Sequence, residues 1–119
     1  MTSTDYISFN ACPEVAEKIT SWLKHLLIEK KSSRHTIEAY ARDLSQFGSF
    51  LRHHLGNPAS LKDLETLRAM DFRSFLADRR RQGVESRTLA RQLSAVRSFY
   101  RYLERNEILA NPALSALRA

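Results

Sequence analysis

Arginines recur along one stretch near the carboxyl end of the chain, and their spacing decides what that stretch can bind. The segment SRTLARQLSAVRSFYRYLERN, residues 86–106, contains no Gly or Pro, which predicts one long helix with Ser86 as its N-cap. At about 100° per residue, one arc of about 120° collects Arg87, Arg91, Arg97, Arg101 and Arg105. Ser94 and Ser98 lie among them and leave room for close approach. Such a face favours a polyanion, with DNA the first candidate, over a merely solvated surface.

The groups that enzymes use for covalent or acid–base chemistry are sparse. The four histidines form no HExxH pattern, and His53 and His54 diverge by about 100° around a helix. Cys12 is the one cysteine, which excludes an internal disulfide and a Cys/His zinc cluster. Three glycines provide no phosphate-binding loop. The sequence therefore predicts a binding domain rather than an enzyme, with no metal, no cofactor and no small-molecule substrate.

Hydrophobic periodicity predicts an all-α fold around this long helix. Its opposite arc is apolar and predicts the face that packs on the core, with Leu89, Leu93, Val96, Phe99, Tyr100 and Leu103. A first helix is expected from Pro13 to about Lys30, a second from Ser33 to near Gly56, and a third from Ala69 or Asp71 to Arg81. A short helix is expected over 113–117. Residues 1–11 predict a flexible tail, and 56–66 a connector pinned by Leu61, Leu64 and Leu67.

Two local features of these helices suggest close contacts. Gly48 lies inside the second helix at a cost of about 1 kcal/mol relative to Ala, which predicts the approach of another helix there. Three successive arginines, Arg79–Arg81, end the third helix before Gly83, a predicted C-cap. Cations at a helix C-terminus complement its dipole, and contact with a phosphate is the equally weighted alternative.

Length and charge set the class of protein. The chain of 119 residues suits one domain with a modest core. Its net charge of +6 is uneven, since residues 1–59 carry +1 and residues 60–119 carry +5. No signal peptide, membrane anchor or bilayer-spanning run is present in the sequence. We expect a cytoplasmic protein that binds double-stranded DNA and no membrane.

Two motifs resemble those of a known family. Ser33, Thr36, Ala39, Tyr40, Asp43, Leu44 and Phe47 give the pattern S-x-x-T-x-x-A-Y-x-x-D-L-x-x-F. The second is S-R-T-L-A-R-Q-L-S-A-V-R-S-F-Y-R-Y-L, from Ser86 to Leu103. Over roughly residues 13–119 the chain resembles the N-terminal core-binding, SAM-like domain of tyrosine recombinases of the phage integrase family. The resemblance is strongest to the Xer type and to its XerC branch.

This resemblance implies a fold and an activity. Four main helices would form two crossed helical hairpins, with a short C-terminal helix added. Residues 12–107 would be the core-binding domain, and residues 108–119 would begin the linker to a catalytic domain that these 119 residues lack. The intact protein would cut and rejoin DNA through a tyrosine-phosphate intermediate, without metal or ATP. It would act with a second Xer-type subunit on the same site, as in chromosome dimer resolution.

The resemblance also implies which residues face DNA. In this family the second and fourth helices meet the major groove of a half-site. Carried over by position, the DNA-binding residues are His35, Thr36, Ala39, Arg42, Arg87, Thr88, Arg91 and Arg97. Gln92 falls near the apolar edge of the helical wheel and is not included.

Two other functions remain open on the sequence alone. A helical protein-interaction module would use the arginine face to dock an acidic partner. A free-standing helix-turn-helix regulator fits less well, because no short helix-turn pair precedes the long arginine-bearing helix.

Overall fold

The computed structural model describes residues 9–117, and within that range the chain forms six α-helices and no strand. This confirms the all-α fold class with four long helices. Two compact units divide the chain, Met1–Ser60 and Leu61–Ala119. The helices are α1 (Pro13–Ile28), α2 (Arg34–Leu55), α3 (Leu61–Thr66), α4 (Ala69–Arg81), α5 (Ser86–Arg105) and α6 (Pro112–Ala116).

The first unit is a pair of packed helices, α1 and α2. Pro13 occupies the first turn of α1, where its missing N–H costs no hydrogen bond. Ser33 caps α2, since its hydroxyl accepts from the backbone N–H of Thr36 at 3.1 Å. Gly56 ends α2 with a φ of 87°, as predicted for a helix that stops at a glycine. The apolar side chains buried between them are Val15, Ile19, Trp22, Leu23 and Leu26 on α1 and Ile37, Ala41, Leu44, Phe47 and Leu51 on α2. Leu27, which the helical spacing also places on the apolar side of α1, is 40% exposed.

A non-helical segment at Phe9–Cys12, which we call the strap, crosses the C-terminal half of α2. The Phe9 side chain is 5% exposed, and the Asn10 amide donates to the Ser49 hydroxyl at 2.7 Å. The backbone N–H of Cys12 donates to the Ala59 carbonyl at 2.9 Å. The sequence predicted a flexible tail over residues 1–11, but the buried side chain of Phe9 holds Phe9–Ala11 in place. Residues 1–8 of that predicted tail lie outside the described part of the chain.

The close approach expected at Gly48 exists, but its partner is not a helix. A Cβ placed on Gly48 would lie 1.8 Å from the carbonyl oxygen of Phe9. The strap backbone therefore occupies the space that any other residue would fill. The expectation of a neighbouring helix was wrong, because helical periodicity carries no signal for a non-helical segment that crosses the helix.

The second unit is built from α3, α4, α5 and α6. The predicted connector at 56–66 contains α3, and its Leu64 and Leu67 are buried, as expected for residues that pin it to the core. At the start of α4, the backbone N–H of Arg68 donates to the Asp71 carboxylate at 2.6 Å. Phe72 and Phe75 bury the inner face of α4.

The turn between α4 and α5 closes with a Schellman pattern. Gly83 has a φ of 86° and donates its N–H to the Arg80 carbonyl at 3.0 Å. The N–H of Val84 donates to the Arg79 carbonyl at 3.2 Å. Gly83 therefore lies one residue after Gln82, which is the C-cap itself. The N-cap of α5 is Glu85 rather than Ser86, so Ser86 is the first helical residue.

The segment after α5 is fixed by the buried side chain of Asn111. Its amide nitrogen donates to the carbonyls of Leu64 and Leu67, both at 3.0 Å. Its amide oxygen accepts from the N–H groups of Ala113 at 2.9 Å and Leu114 at 3.2 Å, which caps α6. The short last helix thus starts at Pro112, one residue before the predicted start. Across residues 9–117, no helix combines the length and apolarity that a bilayer span requires.

Candidate nucleic-acid interface

The arginine face of α5 is exposed along the helix. Arg87, Arg91, Arg101 and Arg105 are all exposed, together with the small residues Ala90 and Ser94 between them. The opposite side of α5 is buried and consists of Leu89, Gln92, Leu93, Ala95, Val96, Phe99, Tyr100 and Leu103. Because the buried side fixes the rotation of the helix, these four arginines lie on its solvent side. A long row of guanidinium groups on one rigid helix is a surface suited to phosphates and base edges.

Arg97 and Thr88 are less accessible than the other predicted contacts on α5. Arg97 is half-buried, and its Nη2 donates to the carbonyl of Leu117. Its guanidinium therefore holds the segment after α6 in addition to lying beside the exposed arginines. A shallow groove there is also lined by Arg101 and Glu104, so its charge is mixed. Thr88 is half-buried at the edge of the exposed face.

On α2, the predicted contacts form a smaller surface within the first unit. His35 and Arg42 are exposed, whereas Thr36 and Ala39 are half-buried. The hydroxyl of Thr36 accepts from the Ser33 hydroxyl at 3.0 Å, which ties it to the N-cap. His35, Ala39 and Arg42 are spaced by four and three residues, so they share one side of the helix.

Further along the same side of α2, the strap covers part of the helix. Ser49 accepts a hydrogen bond from Asn10 and is half-buried. The exposed residues predicted to contact DNA, His35 and Arg42, lie before this point, in the first half of α2.

Arginines at the end of α4 extend the cationic surface of the second unit. Arg80 and Arg81 are exposed, and Arg81 pairs with Asp78, with Nη2 and Oδ1 3.3 Å apart. They precede Arg87 by only a short turn. The run Arg79–Arg81 in the sequence suggested two roles of equal weight, which are complementing the helix dipole and contacting a phosphate. The third arginine, Arg79, is half-buried, and its Nε donates to Oε1 of Gln92 at 3.4 Å.

Two of the described tyrosines make contacts inside their own units. The Tyr100 hydroxyl donates to the Leu64 carbonyl at 2.9 Å, and burial raises the pKa of this phenol, so it stays protonated. Tyr40 stacks on Trp22 with ring centroids 5.8 Å apart. Among residues 9–117, no three His, Cys, Asp or Glu side chains gather as metal ligands. What the described surface offers is cationic binding through α5.

Comparison with known proteins assigns the fold to a family. The phage integrase N-terminal SAM-like domain matches residues 19–107. The chain is 45% identical to Tyrosine recombinase XerC of Rhizobium meliloti (strain 1021) over 107 residues, which are 90% of this chain and 34% of that protein. It is 45% identical to Tyrosine recombinase XerC of Brucella suis biovar 1 over 106 residues, 89% of this chain and 34% of that protein.

A more diverged relative covers nearly the whole chain. Tyrosine recombinase XerC of Agrobacterium fabrum is 37% identical over 116 residues, 98% of this chain and 36% of that protein. The chain therefore spans about a third of the length of the curated relatives that it matches. No solved structure gives a significant match.

Proposed function

The chain belongs to the phage integrase N-terminal SAM-like domain family, and on that basis we propose that it is the DNA-binding domain of a site-specific tyrosine recombinase of the XerC type. The observation that carries the proposal is the exposed row of arginines on α5, Arg87, Arg91, Arg101 and Arg105. The same arginines could also bind an acidic protein, so a test of the proposal has to distinguish DNA from an acidic polypeptide.

The spacing of the arginines suits a duplex. Arg87 and Arg91 are four residues apart, which is about 6 Å along the helix axis. That rise is close to two base-pair steps of about 3.4 Å each. The major groove is about 12 Å wide and admits a helix. One arginine fork at each position can therefore reach a guanine edge or a phosphate without bending the helix.

A second proposed DNA-binding surface lies on α2, within the first unit. His35 and Arg42 are exposed on one side of the helix, and Thr36 and Ala39 lie beside them. Arg42 supplies a phosphate or base contact, while the small Ala39 allows close approach. Thr88 and Arg97 serve as secondary contacts on α5, since both are half-buried and Arg97 also binds the Leu117 carbonyl.

The wider activity belongs to a longer protein. We assign cleavage and rejoining of DNA through a tyrosine-phosphate intermediate to a catalytic domain outside these 119 residues. A second Xer-type subunit on the same DNA is the proposed protein partner, and chromosome dimer resolution is the proposed process. The chain itself would bind the half-site without catalysing the reaction.

Fluorescence anisotropy with labelled duplexes tests the DNA-binding proposal. The probe is the tightest-binding duplex selected by the wild-type chain from a randomised library, with an unrelated duplex of equal length as the reference. Arg87→Ala and Arg91→Ala should each weaken binding to the selected duplex by about 1–3 kcal/mol if these side chains contact bases. Contacts to phosphate alone would instead lower affinity for both duplexes equally and flatten the salt dependence.

A matched control separates position from charge. Lys24 on α1 and Arg73 on α4 are exposed and lie outside the proposed interface. The Lys24→Ala, Arg73→Ala double variant loses the same two charges as the Arg87→Ala, Arg91→Ala double variant. The proposal requires a much larger loss for the second pair. Equal losses, or wild-type binding only to acidic polypeptides such as polyglutamate, would refute it.

A further inference from the structure

Arg79 lies at the point where α4, the following turn and α5 meet. The residue is half-buried on the last turn of α4. Its Nε donates to Oε1 of Gln92 at 3.4 Å, and its Nη1 donates to Oε1 of Gln82 at 3.1 Å. Gln92 belongs to α5 and is 1% exposed. One guanidinium group therefore joins a buried amide of α5 to the side chain at the end of α4.

The backbone of Arg79 fastens the same junction. Its carbonyl accepts from the N–H groups of Gln82 at 3.1 Å and Val84 at 3.2 Å. The side chain of Gln82 in turn donates to Oδ2 of Asp78 at 2.9 Å. A continuous set of hydrogen bonds thus runs from the interior of α5 to the last turn of α4, with Arg79 at its centre.

At the first turns of α5, the hydrogen bond between Arg79 and Gln92 adds a directional constraint to the apolar contacts that set the rotation of the helix. The N-cap residue Glu85 makes no side-chain capping hydrogen bond. In the first two turns, Leu89 supplies apolar burial, and Gln92 and Leu93 follow. Apolar contacts are not directional, whereas the hydrogen bond between Arg79 and Gln92 depends on the angle at which Gln92 points. Gln92 is also the neighbour of Arg91.

Small rotations of α5 would matter for recognition. Side-chain ends lie about 6 Å from a helix axis, so a rotation of about 20° displaces them by about 2 Å. A strong contact between an arginine and a base edge needs a donor–acceptor distance of about 2.7 to about 3.2 Å, a range of only about 0.5 Å. A rotation of that size therefore breaks a base contact, while attraction to the phosphate backbone survives.

We propose that Arg79 is a positioning residue for DNA recognition: through Gln92 it adds a directional constraint on the rotation of the first turns of α5 and so aims Arg87 and Arg91 at the duplex. The inference rests on the proposed function and assigns to Arg79 a role distinct from its charge. Arginine is required rather than lysine because a planar fork reaches Gln92 and Gln82 together, whereas an ammonium group has no such geometry.

Arg79→Lys isolates position from charge. The net charge is kept, and the lysine stem retains much of the packing. Anisotropy with the selected and unrelated duplexes should show the ratio of their affinities falling about five- to tenfold, with an unchanged salt slope. Arg73→Lys, on an exposed residue of the same helix that lies outside the proposed interface, is the matched control and should leave the ratio at the wild-type value. Thermal unfolding by circular dichroism, followed in parallel, identifies any loss that comes from unfolding.

A second variant removes the other partner. Gln92→Met keeps a similar volume but has no carbonyl acceptor, and it should lower the same ratio by a similar factor. The double variant should lower the ratio by much less than the product of the two single-variant factors, because both single variants remove the hydrogen bond between Arg79 and Gln92. One contrary result is that Arg87→Ala and Arg91→Ala abolish selective binding while Arg79→Lys leaves the affinity ratio unchanged. That result overturns this inference and leaves the proposed function standing. Equal effects from Arg79→Lys and Arg73→Lys also overturn it. A wild-type chain that selects no duplex overturns both proposals.

Discussion

Gly48→Ala tests the packing of the strap, because two effects of opposite sign act at this position. Alanine favours a helix interior over glycine by about 1 kcal/mol, so an open site would be stabilised. The structure places the new Cβ 1.8 Å from the Phe9 carbonyl oxygen, which is far inside van der Waals contact. Backbone at that distance cannot be moved aside as a flexible side chain can. The strap must therefore leave α2.

The cost follows from what the strap loses. Exposing the Phe9 side chain, now 5% exposed, costs about 1.5–3 kcal/mol. Losing the hydrogen bond between Asn10 and Ser49 costs about 0.5–1.5 kcal/mol more. After the gain in helix propensity is deducted, Gly48→Ala should destabilise the first unit by about 1–3.5 kcal/mol.

Urea unfolding followed by tryptophan fluorescence measures this directly. Trp22 is the one tryptophan, and it is fully buried in the same unit. Phe9→Ala should add little in the Gly48→Ala background, since the phenyl group is already displaced there. Ser94→Ala, at an exposed site on α5, is the control and should be neutral or stabilising by about 0.5 kcal/mol. A Gly48→Ala chain more stable than wild type would show that the strap does not lie against α2.

Three further outcomes follow from the second unit. Asn111→Ala should lower the free energy of unfolding of this unit by at least about 2 kcal/mol, because four hydrogen bonds are lost at a buried site. Urea unfolding followed by circular dichroism measures the change, and a destabilisation smaller than that of an ordinary surface substitution would contradict the prediction. Arg97→Ala should speed amide hydrogen exchange over residues 112–117 about tenfold and leave the exchange rates of α4 at their wild-type values. Wild-type exchange rates over 112–117 would mean that the contact with Leu117 is not maintained. Burial raises the pKa of Tyr100, so its stabilisation is complete below the unfolded value of about 10 and falls by about 1.4 kcal/mol per pH unit above it. Tyr100→Phe should remove that part of the pH dependence, and identical slopes for the two chains would refute the assignment.

The amphipathic pattern of α5 determined much of the candidate site. Its apolar arc predicted the buried side, and its arginine arc predicted the side that faces solvent. Helical periodicity is a local property that repeats along one element, so a single sequence is enough to assign both faces. The termini of α2 and α4 were predicted for the same reason, since Ser33, Gly56 and Gly83 act on their own turns.

Contacts between distant parts of the chain had no such signal. The sequence could not show that the strap fills the space above Gly48, that Arg79 bonds to Gln92, or that Arg97 holds the Leu117 carbonyl. Each depends on two segments meeting at a distance of a few ångströms, and one residue type in isolation does not specify its partner. Periodicity and capping therefore fixed the helices and the exposed cationic face. Tertiary packing alone decided which polar side chains remain available on that face, because hydrogen bonds between segments form only once the core has brought those segments together.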